Sequence, residues 1–138
     1  MTEASSNTIK RPMKFGLLGE HLTHSYSKLI HEKLGLYPYE LIPLPPEAVG
    51  DFLTVRKFGG LNVTIPYKTA VAPYCDVVDP EAQAIGAINT LYFQGDKLHG
   101  ANTDYQGLAY AARKAGITFS GKKVLLLGGG GTSRTAAA

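Results

Sequence analysis

The 138-residue sequence has little of several features that would point to particular classes of protein. Its single cysteine, Cys75, excludes a disulfide within the chain and favours a reducing compartment. For that thiol, a half-buried structural role is favoured over a catalytic one. No apolar run approaches the ~20 residues that a membrane-spanning helix needs, and the first twelve residues lack the apolar core of a signal peptide. We therefore expect a cytoplasmic protein without a membrane partner.

Charge is also scarce, because only 18% of the residues are charged and the net charge is +3. The basic residues are scattered, as at Lys10-Arg11 and Lys122-Lys123, and form no arginine-rich block. This pattern is typical of solvated surface and argues against nucleic-acid binding. The four histidines show no metal-ligand spacing with the cysteine or the carboxylates, so the sequence predicts no metal site. A small positive excess suits an anionic small-molecule substrate but does not identify one.

In the first half of the chain, apolar runs alternate between the spacing of strands and that of helices. The runs predict strands over 13–19, 39–44 and 60–65 and helices over 25–36 and 47–57. In the first helix, Leu29, Ile30 and Leu34 recur at helical spacing and are expected to face the core. Strands alternating with helices predict an α/β fold, a three-layer domain whose mainly parallel sheet is flanked by helices.

The second half changes character. Residues 87–93 and 97–102 are strand-like and are separated by a glycine-containing turn, which predicts a hairpin. Asp104 is expected to cap a helix that runs to Lys114. The inner side of this helix is expected to carry Leu108, Ala111, Ala112 and Ala115. An apolar strand, a glycine-rich turn and the start of another helix then follow in KVLLLGGGGTSR.

The glycine cluster has a direct physical interpretation. Gly128, Gly129, Gly130 and Gly131 permit a tight turn and a close backbone approach to a pyrophosphate, at which the following helix would point its free N–H groups. The spacing matches the Rossmann dinucleotide fingerprint, except that Ser133 replaces its last glycine. An ordinary glycine-rich connection is the alternative, and the preceding apolar strand favours the fingerprint. The residue that would select NAD or NADP is expected beyond Ala138.

Several short polar motifs lie on loops next to the predicted strands. HSYS, at His24 to Ser27, places two hydroxyls before a helix, where they could bind a carboxylate; an ordinary serine cap is the alternative. Asn62 and Thr64 share one face of a strand, and Lys68 follows just past its end.

Two further polar motifs contain asparagine followed by threonine. Asn89-Thr90 and Asn102 to Asp104 both lie near strand ends. Taken singly, such residues usually form turns. Together, the polar motifs occupy the loops on which α/β folds build their binding sites.

Five segments in order, HSYSKLIH, GLNVTIPYK, IGAINT, GANTDYQG and LLLGGGGTSR, resemble consecutive signature segments of the shikimate dehydrogenase family. The resemblance extends from Gly16 to Arg134. That family reduces 3-dehydroshikimate to shikimate with NADPH in aromatic amino-acid biosynthesis, and its relatives include quinate/shikimate dehydrogenases that use NAD. The resemblance therefore implies a shikimate or 3-dehydroshikimate substrate and NADP as cofactor, with NAD as the alternative.

The resemblance also implies roles for individual residues. Ser25 and Ser27 would hold the substrate carboxylate. The ring hydroxyls would be bound by Asn62, Thr64, Lys68, Asn89 and Asp104. Of these, Lys68 and Asp104 would be the catalytic pair flanking the hydroxyl that is oxidised. The cofactor pyrophosphate would contact Gly128, Gly129, Gly130, Gly131 and Thr132, with Ser133 and Arg134 nearby.

The expected organisation has four parts. A polar tail covers 1–12, a shikimate-binding α/β domain 13–103, and a connecting helix and turn 104–120. Residues 121–138 would form the first strand and glycine-rich loop of an incomplete nucleotide-binding domain. Family members are much longer than this chain, so a fragment is favoured over a natural truncation.

Two residues depart from the family pattern, and other functions remain as alternatives. Lys28 stands where the family usually has proline, and Glu32 where asparagine is common. A non-catalytic shikimate- or quinate-binding regulatory module remains an alternative, as does an NAD-dependent quinate/shikimate dehydrogenase. The segments NVTIPYK and NTD argue against a methylenetetrahydrofolate dehydrogenase. The oligomeric state stays open, with a homodimer as one alternative.

Overall fold

The computed structural model describes residues 14–23, 25–35 and 37–138. The expected polar tail, His24 and Leu36 lie outside the described residues. The strands are β1 Phe15–Gly19, β2 Tyr39–Pro43, β3 Gly60–Val63, β4 Val77–Val78, β5 Thr90–Gln94 and β6 Lys97–Ala101. The helices are α1 Ser27–Leu34, α2 Pro46–Val55, α3 Pro80–Ile85, α4 Asp104–Lys114 and α5 Gly131–Ala137, with 3₁₀ turns at Tyr67–Thr69 and Ala72–Tyr74. Within these residues, no helix is both long and apolar enough to cross a membrane.

The strands form one six-stranded sheet in the order β2-β1-β3-β5-β6-β4. β1 runs parallel to β2 and β3, and β4 runs parallel to β6. β5 is antiparallel to both β3 and β6, so the predicted hairpin is confirmed. Gly95, at φ 61°, forms part of its tight turn. The expected α/β fold with a mainly parallel sheet and flanking helices is confirmed.

The core lies on both faces of this sheet, because successive side chains of a strand point to opposite sides. Leu18, Leu61 and Leu91 are almost fully buried on one face, beneath α2. Leu17 and Tyr39 are buried on the other face in a smaller cluster. The helix α1 covers this second face, whereas α2 covers the first.

Two elements were absent from the predictions. The strand Val77–Val78 has two residues and the helix Pro80–Ile85 has six, so neither is long enough to show a hydrophobic period. Boundaries also shift by a few residues. α1 begins at Ser27, and α2 ends at Val55 because Arg56 takes a left-handed conformation with φ 53°.

Two helices bury fewer of their side chains than expected. Leu29, Ile30 and Leu34 of α1 are 53%, 50% and 84% exposed, so the prediction that they face the core is wrong. The helix is oriented instead by His31, whose ring stacks on Tyr39 with centroids 3.9 Å apart. In α4, only Ala112 of the four residues expected inside is buried.

The apolar run Val124 to Leu127 forms no strand, although the sequence predicts one. All four side chains are exposed, Leu125 by 83% and Leu127 by 84%. A strand exists only when its backbone pairs with a neighbour. None of the described strands pairs with this run.

Gly100 offers a test of how tightly β6 is packed. A Cβ atom there would lie 2.6 Å from Ile88 Cδ1 and 2.9 Å from Cys75 Sγ. We expect Gly100→Ala to lower the free energy of unfolding by about 1–3 kcal/mol through overpacking. The matched control is Gly107→Ala in α4, where a Cβ meets nothing within 4 Å, and it should stabilise by about 0.5–1 kcal/mol. Urea unfolding of both variants measures this, and equal effects would contradict the account.

Candidate active site

The loops that carry the predicted polar residues leave the sheet at one edge. The parallel strands β1 and β3 end at this edge, where Leu18 pairs with Val63. The antiparallel strand β5 begins here, with Thr90 opposite Asn62, and β6 ends here, with Ala101 opposite Thr90. Side chains that follow β1, β3 and β6 therefore meet those that precede β5. Polar groups that are distant in sequence are brought together by this arrangement.

Lys68 and Asp104 form an ion pair at this edge. The distance from Lys68 Nζ to Asp104 Oδ2 is 2.5 Å, and the side chains are 14% and 34% exposed. The lysine is carried by the 3₁₀ turn after β3, which the buried Tyr67 anchors by donating its hydroxyl to the carbonyl of Leu44. Partial burial strengthens the attraction between the charges, because fewer water molecules screen it.

The expected cap role of Asp104 is wrong. Thr103 occupies the N-cap position of α4, and Asp104 is the first residue inside the helix. Its carboxylate lies against Lys68 and makes no side-chain cap.

Asn89 fixes the turn that carries Asp104. Its side-chain oxygen accepts hydrogen bonds from the Thr103 backbone N–H at 2.8 Å and from the Thr90 hydroxyl at 2.9 Å. Its side-chain nitrogen donates to Thr103 Oγ1 at 3.0 Å. Asn89 is only 7% exposed, so these bonds form away from competing water. The carboxamide thereby holds the start of α4, and with it Asp104, against the beginning of β5.

Asn62 and Thr64 lie on the face of the sheet that carries α1. Asn62 Oδ1 accepts a hydrogen bond of 2.7 Å from the Tyr39 hydroxyl. Burial, together with the neighbouring Tyr37, raises the pKa of Tyr39, which therefore stays a phenol and a donor. Thr64 follows the end of β3 and donates its N–H to the Leu18 carbonyl. Its hydroxyl has no protein partner among the described residues.

The two serines stand at the start of α1. Ser25 Oγ accepts the Ser27 backbone N–H at 3.2 Å, but Tyr26 holds the N-cap position of α1, so the ordinary serine cap that the sequence left as an alternative is not formed. No hydrogen bond within the described part of the chain joins either serine to the Lys68–Asp104 pair. Their loop follows β1 and so leaves from the same edge of the sheet. His24 of the same motif lies outside the described residues.

The two departures from the family pattern form a pair. Lys28 Nζ lies 2.6 Å from Glu32 Oε1 on α1 and also donates to the Tyr39 carbonyl at 2.7 Å. Since α1 otherwise has no buried residue, this contact and the His31 stacking attach it to β2. The substitutions therefore support the helix locally.

The glycine-rich turn lies beside the catalytic candidates. A Cβ atom on Gly131 would lie 2.9 Å from Lys68 Cβ, and Gly128 takes φ 124°, so both positions favour glycine. A cleft of about 350 Å³ is lined by the turn together with Pro66 and Lys68. Thr132 and Ser133 line it, whereas the Arg134 guanidinium lies over Gly86. A second cleft of about 510 Å³ shares Lys68 with the first.

Three residues that are bonded to predicted site residues, or close to them in the chain, had no predicted role. Thr103 is fixed by Asn89, Tyr39 holds Asn62, and Asn102 is buried behind the pair. The asparagine–threonine dipeptide occurs at Asn7, Asn89 and Asn102, and its recurrence near predicted strand ends at Asn89 and Asn102 was the available signal. No sequence signal pointed to Tyr39, because its contact with Asn62 depends on the pairing of strands.

The single thiol is chemically quiet. Burial and the neighbouring Asp76 raise the pKa of Cys75 to about 11, and its Sγ lies 3.6 Å from the Val71 carbonyl. Since the thiolate is the reactive form, Cys75 serves packing, as the sequence favoured. The described residues contain no group of three or more metal-ligating side chains.

Asp76, which lies away from this edge of the sheet, allows a prediction of how the stability of the fold depends on pH. Its bonds with Arg56 and the Leu98 backbone N–H lower the pKa of Asp76 to about 2. The carboxyl of an unfolded chain titrates near ~3.9, so its stabilising effect is complete above that pH and is lost as the pH falls toward 2. We expect Asp76→Asn to flatten the loss of stability between about pH 4 and 2, measured by urea unfolding. The exposed Asp51→Asn on α2 is the control, and identical acid profiles for wild type and Asp76→Asn would contradict the assignment.

Comparison with known proteins identifies the family. Residues 17–91 match the family model for the shikimate dehydrogenase substrate binding domain. The NADP(+) shikimate dehydrogenase of Clostridium beijerinckii is 38% identical over 128 residues, which is 87% of this chain and 47% of that protein. Crystal structures of shikimate dehydrogenase 1 from Peptoclostridium difficile and of the Thermus thermophilus enzyme with NADP(H) and shikimate are also similar. Their TM-scores are 0.86 and 0.80 at 36% and 40% identity.

Both structural matches cover 91% of this chain, and 50% and 51% of the other. The chain thus spans about half the length of the relatives it matches. The family match begins within β1, includes β3 and reaches the start of β5, and these are three of the four strands whose ends form the edge described above. This chain belongs to the shikimate dehydrogenase family.

Proposed function

We propose that this chain is the substrate-binding part of an NADP-dependent shikimate dehydrogenase, which reversibly reduces 3-dehydroshikimate to shikimate. The Lys68–Asp104 pair, 2.5 Å apart at the polar edge of the sheet, carries the proposal. Taking a hydride from a secondary alcohol also requires a group that accepts the hydroxyl proton. A lysine beside a carboxylate supplies that group together with a partner for the charge it acquires.

Lys68 is the general acid/base in this mechanism. In alcohol oxidation, its neutral amine takes the hydroxyl proton while the carbon–hydrogen bond breaks and the carbonyl forms. In reduction, its ammonium returns that proton to the carbonyl oxygen. Asp104 orients the hydroxyl and stabilises the ammonium, and the small exposed fraction of Lys68 strengthens this pairing.

The remaining polar residues orient the substrate. Asn62, Thr64 and Asn89 bind ring hydroxyls, and Ser25 and Ser27 bind the carboxylate. The common edge of the sheet supports this assignment, because Asn62 lies there opposite Thr90, the residue after Asn89. The hydroxyls of Ser27 and Thr64 have no protein partner among the described residues, so both can bind a ligand.

The glycine-rich turn suits NADP. Gly128 to Gly131 carry no side chains, and the turn lies next to Lys68, so a pyrophosphate can approach the backbone closely. The residues that would hold it are Gly128, Gly129, Gly130, Gly131, Thr132, Ser133 and Arg134. When bound, the nicotinamide supplies or accepts the hydride. NAD is the alternative cofactor.

We assign residues 13–103 to the shikimate-binding domain, 104–120 to a connection, and 121–138 to the beginning of a nucleotide-binding domain of Rossmann type. The whole enzyme would then contain further strands and helices that hold the nicotinamide. Its partners are small molecules, without nucleic acid or membrane. The single cysteine suits the reducing cytoplasm, where we place the protein.

Titration with shikimate tests the substrate assignment. The chain should bind shikimate, and Thr64→Val should weaken binding by about tenfold, because one hydrogen bond is lost. The control is Thr54→Val on α2, which packs on the opposite face of the sheet. Calorimetry measures both. Absence of binding by the wild-type chain, or equal loss in the two variants, would contradict the proposal.

A further inference from the structure

Asn102 joins three segments of the chain behind the proposed catalytic pair. Its side-chain nitrogen donates to the Ala87 carbonyl at 2.9 Å and to Thr135 Oγ1 at 3.2 Å. Its side-chain oxygen accepts the Tyr105 backbone N–H at 3.2 Å, which caps the start of α4. The residue is only 3% exposed, so each of these bonds is shielded from water. The carboxamide has used both donor hydrogens and has an acceptor bond as well.

One of the three segments is α5, the helix after the glycine-rich turn. Thr135 is its buried residue, at 2% exposure, and its hydroxyl donates to the Gly131 carbonyl while accepting from Asn102. Gly131 packs so closely on the Lys68 stem that a Cβ atom would lie 2.9 Å away. The bond from Asn102 therefore anchors a helix whose first residue touches the lysine.

The second segment is the start of α4, which carries Asp104, the other partner of the ion pair. Asp104 comes two residues after Asn102, and the intervening Thr103 is held from its other side by Asn89. Two asparagines thus bracket the turn that places the carboxylate. The side chain of Asn102 makes no hydrogen bond to Lys68 or Asp104, so its hydrogen bonds influence them through the backbone and α5.

We propose that Asn102 is a positioning residue that couples the helix after the glycine-rich turn to the Lys68–Asp104 pair. The inference rests on the proposed function, in which that pair is catalytic and the turn binds the cofactor. A displacement of α5 then changes the packing of the Lys68 stem, and Asn102 transmits it to the turn of Asp104. The two halves of the reaction site are linked by one buried side chain.

Two substitutions separate the roles of Asn102. Asn102→Asp retains an oxygen to cap α4 but removes the donors to Ala87 and Thr135. Thr135→Val keeps the shape of the threonine and removes only its hydroxyl, and Thr135→Ser restores that hydroxyl. NMR on the 138-residue chain monitors the Lys68 Nζ and Asp104 Cγ signals and hydrogen exchange of the Arg134 amide, which donates to the carbonyl of Gly130, the residue before α5.

We expect Thr135→Val and Asn102→Asp to speed exchange of the Arg134 amide by about tenfold or more and to shift both pair signals. Thr135→Ser should resemble wild type. Unchanged exchange in Thr135→Val would overturn the proposal, as would a released helix that leaves the Lys68 and Asp104 signals unmoved. None of these readouts needs a ligand. Failure of the wild-type chain to bind shikimate would therefore count against the proposed function alone.

Discussion

In the longer enzyme proposed above, replacing Lys68 with alanine is expected to lower kcat by about 10²- to 10⁴-fold and to change KM little, because proton transfer matters chiefly in the transition state. Lys68 Nζ is 2.5 Å from Asp104 Oδ2, so the substitution also leaves that carboxylate without its cation. Steady-state kinetics of shikimate oxidation with NADP measures the effect. The matched control, Lys57→Ala, removes an exposed lysine beyond α2 and should leave both constants unchanged.

A variant that conserves the positive charge at position 68 separates the loss of proton transfer from the loss of the cation. Lys68→Arg keeps a cation beside Asp104, but a guanidinium stays protonated and cannot accept the hydroxyl proton. We expect shikimate binding close to that of wild type and a loss of kcat similar to that of Lys68→Ala. Near-normal kcat with weakened binding in either variant would give Lys68 an orienting role instead.

The 138-residue chain alone should bind shikimate and yet show no hydride transfer with NADP or NAD. The glycine-rich turn offers backbone N–H groups to a phosphate, but a dinucleotide also needs sites for its adenine and nicotinamide. Without them nothing holds the nicotinamide against the substrate ring, and such positioning is worth ~7–11 kcal/mol of the barrier. The exposed run Val124 to Leu127 agrees with this, since no described strand pairs with it.

Absorbance of the reduced cofactor at saturating shikimate measures this second prediction. The complete polypeptide, assayed at the same concentration, is the positive control. The preparation must be shown free of any longer form, because a trace would mimic activity. Turnover above background by the chain alone, with either cofactor, would contradict the prediction.

Local patterns predicted the parts of the fold that depend on neighbours in the sequence. The turn at Gly95 between two strand-like runs predicted the hairpin, and the alternation of Asn62 and Thr64 placed both on one face. Helical spacing predicted that α1 exists, but not which side it buries. That side is chosen by His31 and Lys28, which bind Tyr39 from the adjacent strand. A contact between a helix and a strand cannot be inferred from the spacing within that helix.

The candidate site was also predicted only in part, because some of its contacts join separate segments of the chain. The family resemblance related Lys68 and Asp104, which are distant in the chain, and their side chains form an ion pair in the structure. They did not show that Asn89 would fix Thr103, or that Asn102 would reach Thr135. Those bonds form only after the sheet brings separate segments together. Sequence spacing carries no information on them.

The central claim is that shikimate binds at the polar edge of the sheet beside Lys68 and Asp104. Titrating shikimate into the ¹⁵N-labelled chain and following the backbone amide signals tests it most directly. The account predicts saturable shifts that cluster at Asn62, Thr64, Lys68 and Asn89 and around Asp104, with little change in α2 on the opposite face. Saturable shifts confined to α2 or to β4, or no shifts at all, would contradict it.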